Sequence, residues 1–242
     1  MSALVVPLLL GSMACGADSG GSEERAGGAE KESGAPQRQE ERADALKALE
    51  LTGEDIGPRR KTRALDNGSA AAYGKADSAV DPAACRPLDL MSSYSSSPKP
   101  KAFHPYAVVE KGTTYDKPKG TELVVGLAAH DEAGAKKVMA GLRDAVKKCG
   151  KGFESAEGTY GEVRDWPAQG IGDEAVAYVL RGGMHGELAS ARFTVVRSGS
   201  TVVTFRATNL EAPGELTGPD PELIDAQLAK VAESATAGAK GA

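Results

Sequence analysis

Three cysteines and three histidines in a chain of 242 residues are too few, and too scattered, for a multi-ligand zinc framework. Large aromatics are scarce as well: four Phe and one Trp leave a core built mainly from smaller aliphatic side chains. No apolar run approaches the ~20 residues that a membrane-spanning helix needs. There is no basic excess either. Twenty-nine Lys and Arg stand against 34 Asp and Glu, for a net charge of −5, which excludes a dominant basic surface for nucleic acid. Glycine and proline, 30 and 13 residues, are plentiful and point to extensive loops or linkers.

The N-terminus carries a localisation signal. Residues 3–10 are apolar and lead into Gly11-Ser12-Met13-Ala14-Cys15-Gly16. The run is too short to span a bilayer but suits the apolar centre of a signal peptide followed by small residues. The segment resembles a lipobox, so residues 1–15 are expected to be a lipoprotein signal peptide with Cys15 as the lipid attachment. Ser12 stands where such motifs usually have Leu, and no Lys or Arg precedes Arg25. The alternative is a buried N-terminal strand with an incidental cysteine.

Residues 16–45 contain no large apolar side chain and hold eight acids and four bases. Such a segment cannot bury enough surface to offset its ordering entropy, so a disordered linker is expected there. As a flexible coil it would hold a domain roughly 30 Å from an anchor. The folded domain is expected over 46–236, with a disordered tail at 237–242.

Within that domain, 52–79 is loop-like. Residues 82–91 suggest a short helix capped by Asp81 with Cys85 inside it. The segment 92–120 is rich in Ser, Pro and Lys, with one strand near 106–110. A strand is expected at 122–129. After it, Asp131 caps a helix whose apolar stripe runs Ala135, Val138, Met139, Leu142, Ala145, Val146 and Cys149. Further strands are expected at 161–165, 175–181, 189–197 and 200–208, and a last helix begins at Asp220-Pro221-Glu222. For the final hairpin, a three-residue loop (Arg197-Ser198-Gly199) pairing Val196 with Ser200 concentrates the apolar residues on one face. One-sided alternation implies an α+β fold: an antiparallel sheet with helices packed on one face.

With Cys15 lipidated, Cys85 and Cys149 remain. Outside the cytoplasm an even remainder suggests a disulfide, closing a loop of about 65 residues for roughly 4 kcal/mol by the chain-entropy argument. Two buried free thiols are the alternative.

A cysteine in a short helix, an amphipathic helix ending in Cys149, the run Gly170-Ile171-Gly172-Asp173-Glu174-Ala175-Val176-Ala177, a Val-rich hairpin around Ser198-Gly199, and a last helix with Gln227 and Lys230 follow one another in this order. Over residues 44–236 this resembles the actinobacterial PknH-like extracellular sensor domain family and its stand-alone lipoprotein relatives. The resemblance implies an α+β ectodomain with a ligand-binding cleft; it names no ligand. Kinase-linked members generally carry two disulfides, whereas this chain can form one. It contains no kinase domain, so no signalling role carries over.

Catalytic patterns are few. Ser96-Ser97-Pro98-Lys99 has the spacing of penicillin-recognising enzymes, but its prolines oppose the required helix and the partner motifs are absent. His130-Asp131-Glu132 is more simply a helix cap with dipole partners, and His104 and His185 fall in expected loops. Gly170-x-Gly172-Asp173 suits a turn into a strand, and the Asn67-Gly68-Ser69 sequon means little in a bacterial envelope. No catalytic residue, metal ligand or cofactor is expected. Tyr94, Phe103, Tyr106 and Tyr115 are interleaved with lysines and suit contact with a glycan or anionic envelope polymer; the alternative is ordinary sheet cover and soluble loops. The sequence thus leads to a lipid-anchored, non-enzymatic, sensor-like binding protein of the bacterial envelope, attached to the membrane by its lipid. Its ligand would be a small molecule, glycan or protein, and not nucleic acid. Alternatives are a lipid or glycolipid carrier and a cryptic hydrolase.

Overall fold

The computed structural model describes residues 35–65, 79–114, 116–156, 158–168, 170–184 and 187–240. The expected signal peptide, Cys15, linker residues 16–34, Tyr115 and His185 lie outside the described residues. The described elements belong to the unit Pro36–Ala242, save Ala35 at the first helix's start. The helices are α1 (Ala35–Lys47), α2 (Gly53–Ile56), α3 (Arg86–Ser92), α4 (Glu132–Lys148) and α5 (Pro221–Lys240). The strands are β1 (Arg60–Ala64), β2 (Val80–Asp81), β3 (Ala102–Glu110), β4 (Thr121–Ala129), β5 (Phe153–Ser155), β6 (Gly158–Trp166), β7 (Glu174–Met184), β8 (Glu187–Ser198) and β9 (Thr201–Asn209). They form one antiparallel sheet in the order β1-β3-β4-β9-β8-β7-β6-β5-β2. The fold is α+β.

α4 forms where its apolar period and its cap require. Asp131 accepts a hydrogen bond from Gly134 N at 2.7 Å, and every residue of the expected stripe from Ala135 to Cys149 is buried. Asp220 caps α5 in the same way, accepting from Glu222 N at 3.0 Å.

Partners across a sheet share a face, and this sorts the core into two parts. Leu123, Val125 and Leu127 of β4 and Val203, Phe205 and Ala207 of β9 pack under α5 and the end of α1. Val176, Tyr178 and Leu180 of β7 and Phe193 and Val195 of β8 pack on the opposite face, under α3 and α4. Helices on one face therefore describes each half of the sheet separately; across the whole sheet the covered face switches between β9 and β8. The reason lies in the adjacent valines Val195-Val196 and Val202-Val203, which make both strands apolar on both sides.

The same valines correct the hairpin register. Ser198 pairs with Thr201 and Val196 with Val203, so the loop has two residues, Gly199 and Ser200, rather than three. Gly199 has φ +59°, as the first position of a type II′ turn needs. The longer loop was favoured by assuming one apolar face, and two covered faces remove that preference.

Other elements also depart from the sequence reading. Residues 35–45, expected in the linker, belong to α1, where Leu46 anchors the helix in the core. The 52–79 loop contains α2 and β1. Asp81 lies in β2, and a 3₁₀ turn (Ala83–Cys85) with Pro82 at its N-cap precedes α3. α5 runs on through 237–240, where a tail was expected.

Candidate functional site

β6 alternates: Val163 faces the α4 core, while Glu162, Arg164 and Trp166 face the other side. On that side α5 covers β3, β4, β9 and Val196 of β8, residues 213–218 lie over Ser190 and Arg192 of β8, and side chains close β6 and β7. Trp166 is opposite Ala177 of β7, Arg164 opposite Val179, and Val179 opposite Arg192 of β8. The Arg192 guanidinium carbon sits 4.4 Å from the indole centroid and that of Arg164 5.5 Å. Beneath them Val179 is 0% exposed and Ala177 2%: the indole and the arginine side chains stacked on it shield apolar atoms.

The charges here are unevenly matched. Glu162 serves both Arg164, at 3.2 Å, and Arg181, at 3.7 Å. Among the described residues Arg192 has no carboxylate in ion-pair range, and its buried Nε has no hydrogen-bond partner. Burial lowers the Arg192 pKa from its usual value, though a guanidinium stays protonated. Gly218 lies against this group, and a side chain there would strike Nη1 and Cζ.

Beside Trp166 opens a cleft of about 300 Å³, walled by Arg143, Val146 and Lys147 of α4, Asp165 and Trp166 at the end of β6, Pro167 after it, and the start of β7. Arg143 is ion-paired to Glu174, which also holds Arg197 at 3.2 Å. Lys147, among the described residues, has no acid in range. Trp166 beside Lys147, with Asp165 on the same wall, gives the cleft an aromatic lining of mixed charge, an arrangement that suits a ring with polar edges. Sequence reasoning missed it. The available signal was the chain's single tryptophan, two residues after an arginine in an expected strand.

The aromatics singled out from sequence do not form one site. Tyr94 and Phe103 do come together: a Cβ on Gly126 would sit 3.1 Å from Phe103 and 3.5 Å from Tyr94. Tyr94 lies 5.0 Å beneath Arg206. It takes the left-handed position after α3, with φ +54°, where glycine is usual; Tyr94 N bonds Met91 O at 3.0 Å and Ser95 N bonds Leu90 O at 2.7 Å. Tyr106 points to the opposite face and is 0% exposed, which corrects its assignment as a ligand contact. Its hydroxyl donates to Gln227 and accepts from Leu51 N at 3.2 Å, and burial drives its pKa far upward. Gln227 Nε2 donates to Leu49 O at 2.9 Å and Lys230 pairs with Asp55 at 2.9 Å. The two polar residues of the last helix thus tie residues 49–55 onto the sheet.

His104, expected in a loop, lies in β3 and meets Glu50 at 2.5 Å. His130 is buried, which lowers its pKa. Asp131 and Glu132 have lowered pKa values because of the Gly134 N–H and Lys136 respectively, as a cap and a dipole partner should. Ser96 lies in a loop and donates to Pro98 O at 2.9 Å. Cys85 and Cys149 are joined by a buried disulfide, Cα atoms 5.8 Å apart. Among the described residues no group of three or more His, Cys, Asp or Glu is placed to hold a metal ion, and no helix is long and apolar enough to cross a membrane.

No protein-family model matches this chain, and no curated protein does. Among solved structures it is similar to the extracellular domain of PknH from Mycobacterium tuberculosis, at 12% identity and a TM-score of 0.45, covering 81% of this chain and 96% of that one. It is also similar to an Rv0999 ortholog from Mycobacterium smegmatis, at 12% identity and a TM-score of 0.36, covering 81% and 94%. The first is the domain type that the sequence motifs resemble.

Proposed function

We propose that this chain is a lipid-anchored, extracytoplasmic binding protein of the bacterial envelope, sensor-like and without a catalytic step. The observation that carries the reading is the buried Cys85–Cys149 disulfide, because structural disulfides persist in oxidising compartments. The apolar run at 3–10 and Cys15 supply the export and anchoring half. The cleft at Trp166 supports binding: its lining brings an indole together with Arg143, Lys147 and Asp165, with neither an imidazole nor a serine among its described walls. His104 is engaged by Glu50 and His130 is packed away from solvent, which supports structural roles for both.

The test is made in the host. Cys15→Ala should abolish fatty-acid labelling and release the protein from membranes. One acyl chain binds only marginally, so more than one is expected on Cys15. A mutant that fractionates with membranes like the parent overturns the anchor. Turnover in a hydrolase panel, abolished by a single His or Ser substitution, overturns the non-enzymatic reading.

A further inference from the structure

The face of β6–β8 turned away from α4, with Gly218 lying against Arg192, carries three arginines, Arg164, Arg181 and Arg192, against one acid, Glu162. Glu162 is shared by two of them, and Arg192 has no acid partner among the described residues. The cationic strip is bounded, since β5 and β2 place Glu154 and Asp81 on the same face further out. At its other end Trp166 also lines the 300 Å³ cleft at the sheet edge, where Lys147 has no ion-pair partner among the described residues and Asp165 lies on the same wall. Along the strand Trp166 and Arg164 are two residues apart, roughly 7 Å at the rise of a β-strand, so an aromatic platform and a guanidinium fork fall within reach of neighbouring groups on one extended ligand.

Each part of that strip selects chemistry. Aromatic rings suit the C–H faces of sugars and other flat ligands that carry polar edges. A planar guanidinium fork matches a carboxylate through two parallel hydrogen bonds. An all-apolar ligand would leave the arginine heads desolvated without compensation, and a cationic one is repelled. We propose that the face formed by Trp166, Arg164, Arg181 and Arg192 binds an acidic glycan, its sugar ring against Trp166 and the adjoining cleft, its carboxylates on the guanidiniums. The site lies away from Tyr94 and Phe103, and the inference rests on the chain being a binding protein of the envelope.

Trp166 is the only tryptophan of the chain, so its fluorescence reports this site alone. The full-length chain in detergent is titrated with oligogalacturonate, with a neutral malto-oligosaccharide of equal length, and with inorganic polyphosphate. A saturable change with oligogalacturonate is expected, at least tenfold tighter than with either other probe. Arg192→Gln and Lys147→Gln should each weaken it about tenfold, whereas Lys99→Gln on a distant loop should leave it unchanged. Calorimetry on Trp166→Phe, checked by circular dichroism, should show a comparable loss in a folded protein. No saturable response, equal binding of the neutral sugar, or polyphosphate binding as tight as the uronate overturns the proposal. Equal losses in all three charge variants overturn it too. The titration does not involve the anchor, so its failure leaves the Cys15 result standing, and the reverse also holds.

Discussion

The two halves of the sheet close their apolar surfaces by different means. In the β3-β4-β9 half, α5 and the end of α1 lie on one face, tied down by Tyr106, Gln227 and Lys230. In the β8-β7-β6-β5 half, α4 and α3 lie on the other face, pinned by the Cys85–Cys149 bond. The faces left without helices differ too. One is closed by Phe103 and by Tyr94 under Arg206, the other by Trp166 under Arg192 and Arg164. A polar network anchors one half and a covalent staple the other, and both use arginine over an aromatic ring where a helix is missing. Arginine suits that role because its stem is apolar and its head stays hydrated. The same property leaves unmatched charge at the surface, where a ligand can use it.

The largest asymmetry should appear on removing the staple. Replacing Cys85 and Cys149 together by Ser should cost about 4 kcal/mol of stability by the loop-entropy argument. Hydrogen exchange should rise most in α4, β5 and β6, and least in β3 and β4. A uniform rise across both halves would show that the bond acts on the whole sheet rather than on its own half.

Next come the helices. Leu142→Ala in α4 and Leu223→Ala in α5, at 1% and 3% exposure, should each cost about 2–5 kcal/mol. Because β8 and β9 belong to both cores, circular dichroism and Trp166 fluorescence should give superimposable unfolding curves in both variants. Separate midpoints would make the halves independent units.

Tyr106→Phe is expected to cost about 1–3 kcal/mol, since Gln227 and the Leu51 N–H would be left buried without that partner. Chemical denaturation measures it, and Gln227→Leu should cost at least as much because it also removes the bond to Leu49 O.

The smallest effect is one of pH. Burial holds the His130 pKa below its ordinary 6.5, so the unfolded chain takes up that proton more readily than the folded one. Its stabilising contribution is complete above pH 6.5 and is lost as pH falls below it. The flanking carboxylates of Asp131 and Glu132 are also held low, but they matter only below their ordinary values of 3.8 and 4.5. His130→Gln should therefore flatten the stability curve just below pH 6.5 and leave its acid limb in place. An unchanged slope in that interval would refute the assignment.

Elements with a strong local pattern were legible without tertiary information. The stripe from Ala135 to Cys149 and the cap at Asp131 follow from a 3.6-residue period that the segment carries alone, and β4 and β7–β9 from short runs rich in apolar, mostly β-branched residues. The pairing available to Cys85 and Cys149 followed from counting. β1 was illegible because Arg-Lys-Thr-Arg-Ala has no apolar alternation and becomes a strand only by pairing with β3. Phe103 and Tyr106 were grouped by nearness in sequence, yet residues an odd number apart in a strand point to opposite faces. The hairpin register depended on how many faces are covered, a property of the helices and not of the hairpin. Arg192 and Trp166 are 26 positions apart in the sequence, and only the pairing of β6, β7 and β8 brings guanidinium and indole together. Local chemistry thus decided what each segment is. Which side chains share a surface was decided by strand order and register, since these set the contacts between residues that no local pattern links.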